Sequence, residues 1–389
     1  MKILFLTQFF SATRGGGEVI FTQWAKELCR RGHDVYVICH IMKNSKQSNN
    51  EIENLHVIEI PPVIFFKGGL PPSITENALY LMNSVRIGFK VLRKYDIDVI
   101  HSNNFTPVIA GFLLSKMTGI PLVVTIHDVF SLAGRIYWNM WSNQLKASFL
   151  TPVIGPILEK ITVKIPSIIH AVSETTKEDL IRFGTRNPIV VIPNGVDLSI
   201  FKLNTIPNYY NHQVLFIGRL IFYKNLPVIL KALKIVKQAV PDVRLIVIGD
   251  GPSREQWQLL TKQLGLSDSV RFMGYVSEKV KLKILNESMV LVLPSFIEGF
   301  GLVILEAFAM KKPVIASKVP PMTEIIDHGV DGYLVSPFNE CEWAEKIIDI
   351  LQHPKIASEM GSRGRIKVEK HFTIKKAVDR LEKLYSYIS

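Results

Sequence analysis

The stretch PSFIEGFGLVILEAFAMKKP, Pro294 to Pro313, decides the reading of this chain. The apolar run before it, Met289 to Leu293, is expected to be a buried strand, and a turn holding Glu298, Gly299, Phe300 and Gly301 follows. A helix is expected to start near Leu302 and to carry Glu306 on its first turns. Strand, glycine-bearing turn and helix N-terminus together make an anion site, because backbone N–H groups and the helix dipole point at the same ligand. Leu302 and Glu306 are four residues apart, so they share a helix face one turn beyond that site. A carboxylate there repels a bare phosphate but accepts hydrogen bonds from sugar hydroxyls beside one. Glu298 and Glu306 around such a turn therefore suggest a sugar–phosphate ligand. An ordinary βα turn with a solvated Glu298 and a helix-face Glu306 meets the same spacing, and short motifs match by chance.

The stretch resembles the signature of retaining glycosyltransferases of family 4 (glycosyl transferases group 1). The resemblance implies an α/β GT-B fold, two doubly wound Rossmann-like domains facing each other across a cleft. It also implies roles. Glu298 would hold donor-sugar hydroxyls, Glu306 the ribose, and the amides of Phe300, Gly301 and Leu302 the diphosphate.

At 389 residues the chain is long enough for two domains, each with its own core. A composition 48% hydrophobic and 21% charged is that of a globular protein and excludes wholesale disorder. Lysine plus arginine number 46 against 34 acids, a formal charge of +12 that suits anionic partners. Nucleotide phosphates, nucleic acid and an acidic membrane surface all satisfy it, as does a merely solvated basic surface. Cys29, Cys39 and Cys341 have no metal-like spacing, so zinc and a disulfide framework are not expected and a reducing cytosol fits. Met1 to Phe10 is read as a first strand rather than a signal peptide, since Gln8 interrupts a short apolar run. No apolar run reaches the ~18 residues a membrane span needs.

In the first half, Lys2 to Thr7 is expected as a buried parallel strand, Gln8 to Gly17 as a loop ending in three glycines, and Val19 to Arg31 as a helix. This is a βαβ unit whose first turn lets backbone approach a phosphate, without a GxGxxG dinucleotide fingerprint. Gly15-Gly16-x-Glu18 and Arg31-Gly32-His33-Asp34-Val35 are similar to the opening of family 4 sequences, where the glycine loop faces the donor diphosphate and acceptor. That assigns Gly16 and Gly17 to donor binding, although a tight turn needing positive φ explains them too. Lys43 to Asn54 is read as an exposed loop, and helices are expected over Glu76 to Arg93 and Pro107 to Met117. The strand Leu122 to Ile126 ends at His127-Asp128, where open α/β sheets place their ligands. His127 matches a family histidine that contacts the donor sugar near the reacting carbon. Phe130 to Pro166 mixes Tyr137, Trp138, Met140 and Trp141 with Arg135, Lys146, Lys160 and Lys164 around one acid, Glu159. Aromatics and cations interleaved in this way suit a membrane interface, with a packed helical insertion as the competing reading. Phe65, Phe66, Lys67 and Leu70 are read as a second lip of that surface.

Pro193-Asn194-Gly195-Val196-Asp197 breaks the pattern with turn residues and is similar to the family sequence before the crossover between domains. Leu198 to His212 reads as the linker, which puts an acceptor-side domain at 1–198 and a nucleotide-sugar domain at 199–371. A final helix, 372–389, is expected to pack back on the first domain, as in GT-B proteins. After the strand Val214 to Ile217 come Gly218-Arg219 and Lys224-Asn225, two cations on one loop. Their plain use is neutralising a diphosphate, and they match family residues that hold the donor phosphates. Lys312 and Pro320-Pro321 depart from the family pattern, which has glycines at these places.

The expectation is therefore a retaining, metal-independent hexosyltransferase working on a UDP-, GDP- or ADP-sugar. His127, Glu298, Arg219 and Lys224 are its catalytic candidates. No cofactor is expected, no Asp-x-Asp metal motif stands out, and no carboxylate presents itself as a covalent nucleophile. The acceptor is expected to be a lipid-linked or saccharide hydroxyl, the place cytoplasmic with peripheral contact on the inner membrane face, and nucleic acid no partner. A GT-B nucleotide-sugar epimerase and a non-catalytic nucleotide-sugar-binding protein remain as alternatives, the latter separated by turnover; a phosphorylase lacks a marker for its pyridoxal lysine, and a nicotinamide enzyme is disfavoured by the missing fingerprint.

Overall fold

Runs such as Lys2–Leu6 and Leu122–Ile126 are apolar without alternation, the pattern of strands buried on both faces of a parallel sheet. The computed structural model describes residues 1–11, 15–42, 52–64, 73–145, 147, 150–202 and 212–389. It divides into two compact units, Met1–Asn194 with Ile374–Ser389, and Gly195–Thr373.

The first unit begins β1 (Lys2–Leu6), α1 (Gly16–Arg30), β2 (Asp34–Met42), β3 (Leu55–Ile64), α2 (Ile74–Lys94), β4 (Val99–Asn103) and α3 (Thr106–Thr118). It continues β5 (Leu122–Ile126), α4 (Gly134–Leu145), α5 (Thr151–Thr162), β6 (Ile168–Ala171), α6 (Glu174–Phe183) and β7 (Ile189–Val191). Its seven strands run parallel in the order β3-β2-β1-β4-β5-β6-β7. The chain winds outward from β1 in one direction and, after α2, from β4 in the other. The point of reversal lies between β1 and β4, the place where open sheets bind ligands beyond their carboxyl ends.

The second unit repeats the plan. It runs β8 (Gln213–Ile217), α7 (Leu226–Ala239), β9 (Arg244–Ile248), α8 (Arg254–Gln263), β10 (Val270–Gly274), α9 (Glu278–Glu287), β11 (Val290–Leu293) and α10 (Leu302–Ala309). Then come β12 (Val314–Ser317), α11 (Met322–Ile325), β13 (Gly332–Val335), α12 (Glu340–Gln352) and α13 (Pro354–His371). The order β10-β9-β8-β11-β12-β13 puts its reversal between β8 and β11.

The last helix, α14 (Ile374–Ile388), belongs to the first unit. Ile374, Ala377, Val378, Leu381, Leu384 and Tyr385 recur at helical spacing and form its buried face. Arg31 reaches Asp379 and Glu382, each at 2.6 Å, and His33 reaches Glu382 at 2.7 Å. A buried hydrogen-bond chain completes the attachment, and one carbonyl sets its direction. Ile192 O can only accept, so His170 Nε2 donates to it at 2.8 Å. His170 is neutral, its pKa pushed down to about 4 by burial, so its Nδ1 accepts the Thr125 hydroxyl proton at 3.0 Å. Thr125 Oγ1 then accepts from His101 Nε2 at 2.7 Å, and His101 Nδ1 accepts from the Tyr385 hydroxyl at 2.5 Å. Trp24 lies against both imidazoles, with ring centroids 6.0 Å from His101 and 5.2 Å from His170.

Three expectations need correction. The loop after β1 is shorter than expected, because Gly16 and Gly17 form the first turn of α1 rather than the loop's end. Leu55–Ile64 is an edge strand that the sequence did not show. It carries Pro61 and Pro62, and its register with β2 shifts between His40 and Ile41, the edge and irregularity where prolines are tolerated. In the 130–166 segment Tyr137, Trp138 and Trp141 are buried, and Trp138 packs so closely on Gly155 that a Cβ there would meet it at 2.6 Å; Phe149 lies outside the described residues. The competing reading, a packed helical insertion, describes these aromatic residues. Phe65, Phe66, Lys67, Leu70 and Lys146 lie outside the described residues.

Candidate functional site

In the second unit, the loops following β8, β9 and β11 meet at the reversal point. Gly249, with φ +127°, lies against the β8 loop so closely that a Cβ would meet the Gly218 carbonyl oxygen at 1.9 Å. Leu220 N donates to Asp250 O at 3.0 Å, and Phe296 N donates to Tyr223 O at 3.0 Å. These bonds hold the Gly218–Asn225 loop, with its half-buried Arg219 and Lys224, against the turn that follows β11. Lys224 Nζ lies 2.5 Å from Glu298 Oε2, and their side chains are only 14% and 13% exposed. Two residues singled out from distant parts of the sequence are thus an ion pair.

Gly301 adopts φ 83°, a left-handed conformation that glycine takes without strain, and caps α10. Ile304 N bonds back to Gly301 O at 2.8 Å. Among the described residues none offers a backbone acceptor to the N–H groups of Phe300, Gly301 and Leu302. A helix N-terminus of this kind attracts anions through its exposed N–H groups and its dipole.

Glu306 is paired with a residue that the sequence reading did not single out. Lys281 Nζ on α9 reaches its two carboxylate oxygens at 2.9 and 3.0 Å and Glu278 at 3.1 Å. Burial raises the Glu306 carboxyl above its usual range, with Lys281 pulling the other way. Burial opposes the charge of Lys281, but Glu306 and Glu278 outweigh it and hold its pKa above the ordinary value. Lys312, the departure from the family pattern, is fully buried after the opposite end of α10, where burial pushes its ammonium down to about 7.

In the first unit the reversal point has a different character. His127, just past β5, brings its Nε2 to 3.1 Å from Asn103 Oδ1 at the end of β4. Asn104 N donates to the same Oδ1 at 2.9 Å, which identifies that atom as the oxygen and makes His127 Nε2 the donor. Burial, with His170 adding to it, pushes the His127 pKa down to about 3, so the ring is neutral and Nδ1 keeps its lone pair. A Cβ on Gly17 would meet His127 Nε2 at 2.9 Å. The glycine run and the histidine, 110 residues apart in the chain, are therefore neighbours, and only glycine leaves the ring its place. Asn103 was missed, although a polar residue at a strand's carboxyl end is the same signal that marked His127.

Asp96-Ile97-Asp98 does have the Asp-x-Asp spacing. Asp98 Oδ2 accepts the Lys2 N–H at 2.7 Å just before β4, at the end of the sheet remote from these loops.

Residues 14–200 match the description Glycosyltransferase Family 4, and residues 207–367 match Glycosyl transferases group 1. The D-inositol 3-phosphate glycosyltransferase of Corynebacterium diphtheriae is 28% identical over 98% of this chain and 91% of its own length. Among solved structures, sucrose-phosphate synthase from Thermosynechococcus elongatus matches with a TM-score of 0.82 at 22% identity, over 99% of this chain and 98% of that one. The Anabaena protein HepE, solved in complex with UDP-glucose, matches with a TM-score of 0.78 at 22% identity, over the whole of both chains. With two all-parallel sheets reversing at equivalent points and these matches along most of its length, the chain belongs to family 4 of the group 1 glycosyltransferases and has their two-domain α/β GT-B fold.

Proposed function

We propose that the chain transfers a hexosyl group from a nucleotide-diphospho-sugar to a hydroxyl acceptor, with retention at the anomeric carbon. The observation that carries this reading is the Lys224–Glu298 pair beside the N-terminus of α10. It sets a cation, a sugar-binding carboxylate and a row of anion-seeking N–H groups at one reversal point. As the glycosidic bond breaks, negative charge builds on the departing diphosphate. Lys224, Arg219 and the amides of Phe300, Gly301 and Leu302 stabilise that charge, the kind of preorganised electrostatics that dominates many rate enhancements. Glu298 orients the sugar hydroxyls and Glu306 the ribose, with Lys281 holding the Glu306 carboxylate in place. Gly16 and Gly17 are assigned to donor binding, and His127 to the reacting face of the sugar. A neutral imidazole whose Nε2–H is engaged by Asn103 offers Nδ1 as an acceptor for a sugar hydroxyl.

The leaving phosphate helps to deprotonate the acceptor, as the family resemblance implies, and the proposed steps use no metal and no further cofactor. The donor class is supported by HepE, whose structure holds UDP-glucose. A lipid-linked or saccharide acceptor is the reading preferred here, and the corynebacterial relative adds inositol 3-phosphate as a soluble candidate.

A turnover screen tests the proposal. UDP-, GDP- and ADP-sugars are offered with a polyprenol-lipid extract, with free saccharides and with inositol 3-phosphate, and nucleotide release and the anomeric configuration of the product are read. Acceptor-dependent release from one donor, with retained configuration, is the expected result. Binding without turnover on any acceptor would leave a nucleotide-sugar-binding protein in its place, and an inverted product would refute the stereochemistry.

A further inference from the structure

The helices α4 and α5 turn their aromatic residues inward and their aliphatic ones outward. On α5, Val153, Ile154, Ile157 and Ile161 are 60, 39, 54 and 52% exposed, while Gly155, Glu159 and Thr162 form its buried face. Ile136 and Met140 on the adjoining α4 are 72 and 40% exposed. Single exposed aliphatics are ordinary; a helical stripe of them, continued on a neighbouring helix, marks an interaction surface.

Charge identifies the partner. The helices α3, α4 and α5 and the short turn Phe130–Ala133 pack on one another, and together they contain one carboxylate, Glu159. Glu159 is turned inward and accepts the N–H groups of Phe130 at 2.7 Å and Ser131 at 2.8 Å. The exposed charges are all positive: Lys116, Arg135, Lys160 and, just beyond α5, Lys164. A protein partner of mixed charge has no use for this one-sidedness, whereas an anionic lipid surface meets both the aliphatic stripe and the cations beside it. Among the described residues no helix is long and apolar enough to cross a membrane. Contact in the plane of the interface is the mode open to a helix of this length.

We propose that the outer face of α4 and α5 docks on an anionic membrane surface. The aliphatic side chains enter the headgroup boundary, and Arg135, Lys160 and Lys164 meet lipid phosphates. The inference rests on no part of the transfer reaction and holds for a soluble or a lipid-linked acceptor.

The test is sedimentation of the full chain with vesicles of phosphatidylcholine alone and of phosphatidylcholine with phosphatidylglycerol. The wild type is expected to bind the anionic vesicles and to leave the neutral ones largely free. Ile157→Asp with Ile161→Asp should weaken binding by at least about tenfold through the loss of buried apolar area. Lys160→Gln with Lys164→Gln should weaken it by roughly fivefold for each cation removed. Circular dichroism and nucleotide-sugar binding are measured alongside, and both are expected to be unchanged, which separates loss of docking from loss of folding. Failure of the wild type to bind, equal binding to both vesicle types, or binding indifferent to both pairs of substitutions would overturn the proposal. Self-association without lipid, abolished by Ile157→Asp, would make a second copy the occupant and overturn it too. A chain that binds vesicles but turns over no sugar keeps this inference and loses the transfer reaction.

Discussion

The two sheets reverse at equivalent points and furnish them in opposite ways. Between β8 and β11 the loops carry charge: Arg219 and the Lys224–Glu298 pair, with Lys281–Glu306 beside them. Between β1 and β4 the groups that meet one another are uncharged: Gly17, Asn103 and a histidine held neutral by burial. One topology thus serves two chemistries. Strand order fixes where a ligand binds, and the side chains at the strand ends fix what binds there. In the proposed reaction the cations Arg219 and Lys224 meet the diphosphate, whose charge grows during transfer. The neutral imidazole of His127 is proposed to meet a sugar hydroxyl, which carries no charge to be matched.

The difference extends to stability and gives the largest expected effect. An imidazole ordinarily titrates near 6.5; burial holds His127 down to about 3 and His40 and His170 down to about 4, all in the first unit. Below pH 6.5 the unfolded chain takes up protons that these folded sites refuse, so each contributes stability that is complete above 6.5 and lost as pH falls toward its folded value. The loss is about 1.4 kcal/mol per pH unit for each histidine, against total stabilities of about 5–15 kcal/mol. Acid titration followed by near-ultraviolet circular dichroism, with hydrogen exchange to locate the transition, should show the first unit unfolding before the second. Simultaneous loss of both units would show that the buried histidines do not set the acid limit of the first.

Next in size is Lys224→Ala. It removes a cation from the growing diphosphate charge and leaves Glu298 unmatched, and kcat/KM should fall by about 2.7–4 kcal/mol, a hundred- to a thousandfold. Steady-state kinetics with the donor found in the screen would measure it. A loss under tenfold would mean that the pair is structural. Gly17→Ala probes the neutral side. Its Cβ would crowd His127 Nε2 and strain the bond to Asn103, costing about 1–3 kcal/mol of stability with a parallel loss of activity. Unchanged melting and turnover would show that the ring has room to move. Tyr385→Phe comes last because it touches stability alone: it leaves His101 Nδ1 buried without its donor and should cost about 1–3 kcal/mol by denaturant unfolding, with kcat unchanged.

The strand–turn–helix units were legible because parallel strands buried on both faces are continuous apolar runs ended by glycine or polar pairs. Leu122–Ile126 falls where the pattern places it, and Gln213–Ile217 starts one residue before the strand expected there. Leu55–Ile64 escaped because two prolines interrupt it, and prolines count against a strand unless its place at a sheet edge is known. The start of α1 was read too late because glycine is a poor helix former, and the preference was overruled by the close approach of Gly17 to His127. Lys281 was invisible for another reason. It is one of three lysines on α9, with Lys279 and Lys283, and only the packed structure selects the one that meets Glu306. In the 130–166 segment, composition showed aromatics and cations but not which face each would take. Packing of Trp138 on Gly155 buried the aromatics and left the aliphatics outside.

The proposed transfer requires the turn from Glu298 to Glu306 to hold a nucleotide-diphospho-sugar. Calorimetric titration of the wild type and of Glu306→Ala with UDP-, GDP- and ADP-sugars tests it most directly. Saturable binding of one donor class is expected, weakened by about 1.5–3 kcal/mol in Glu306→Ala through the loss of hydrogen bonds from ribose to a carboxylate. Absence of binding by every donor, or binding of one donor with equal strength by both proteins, would contradict it.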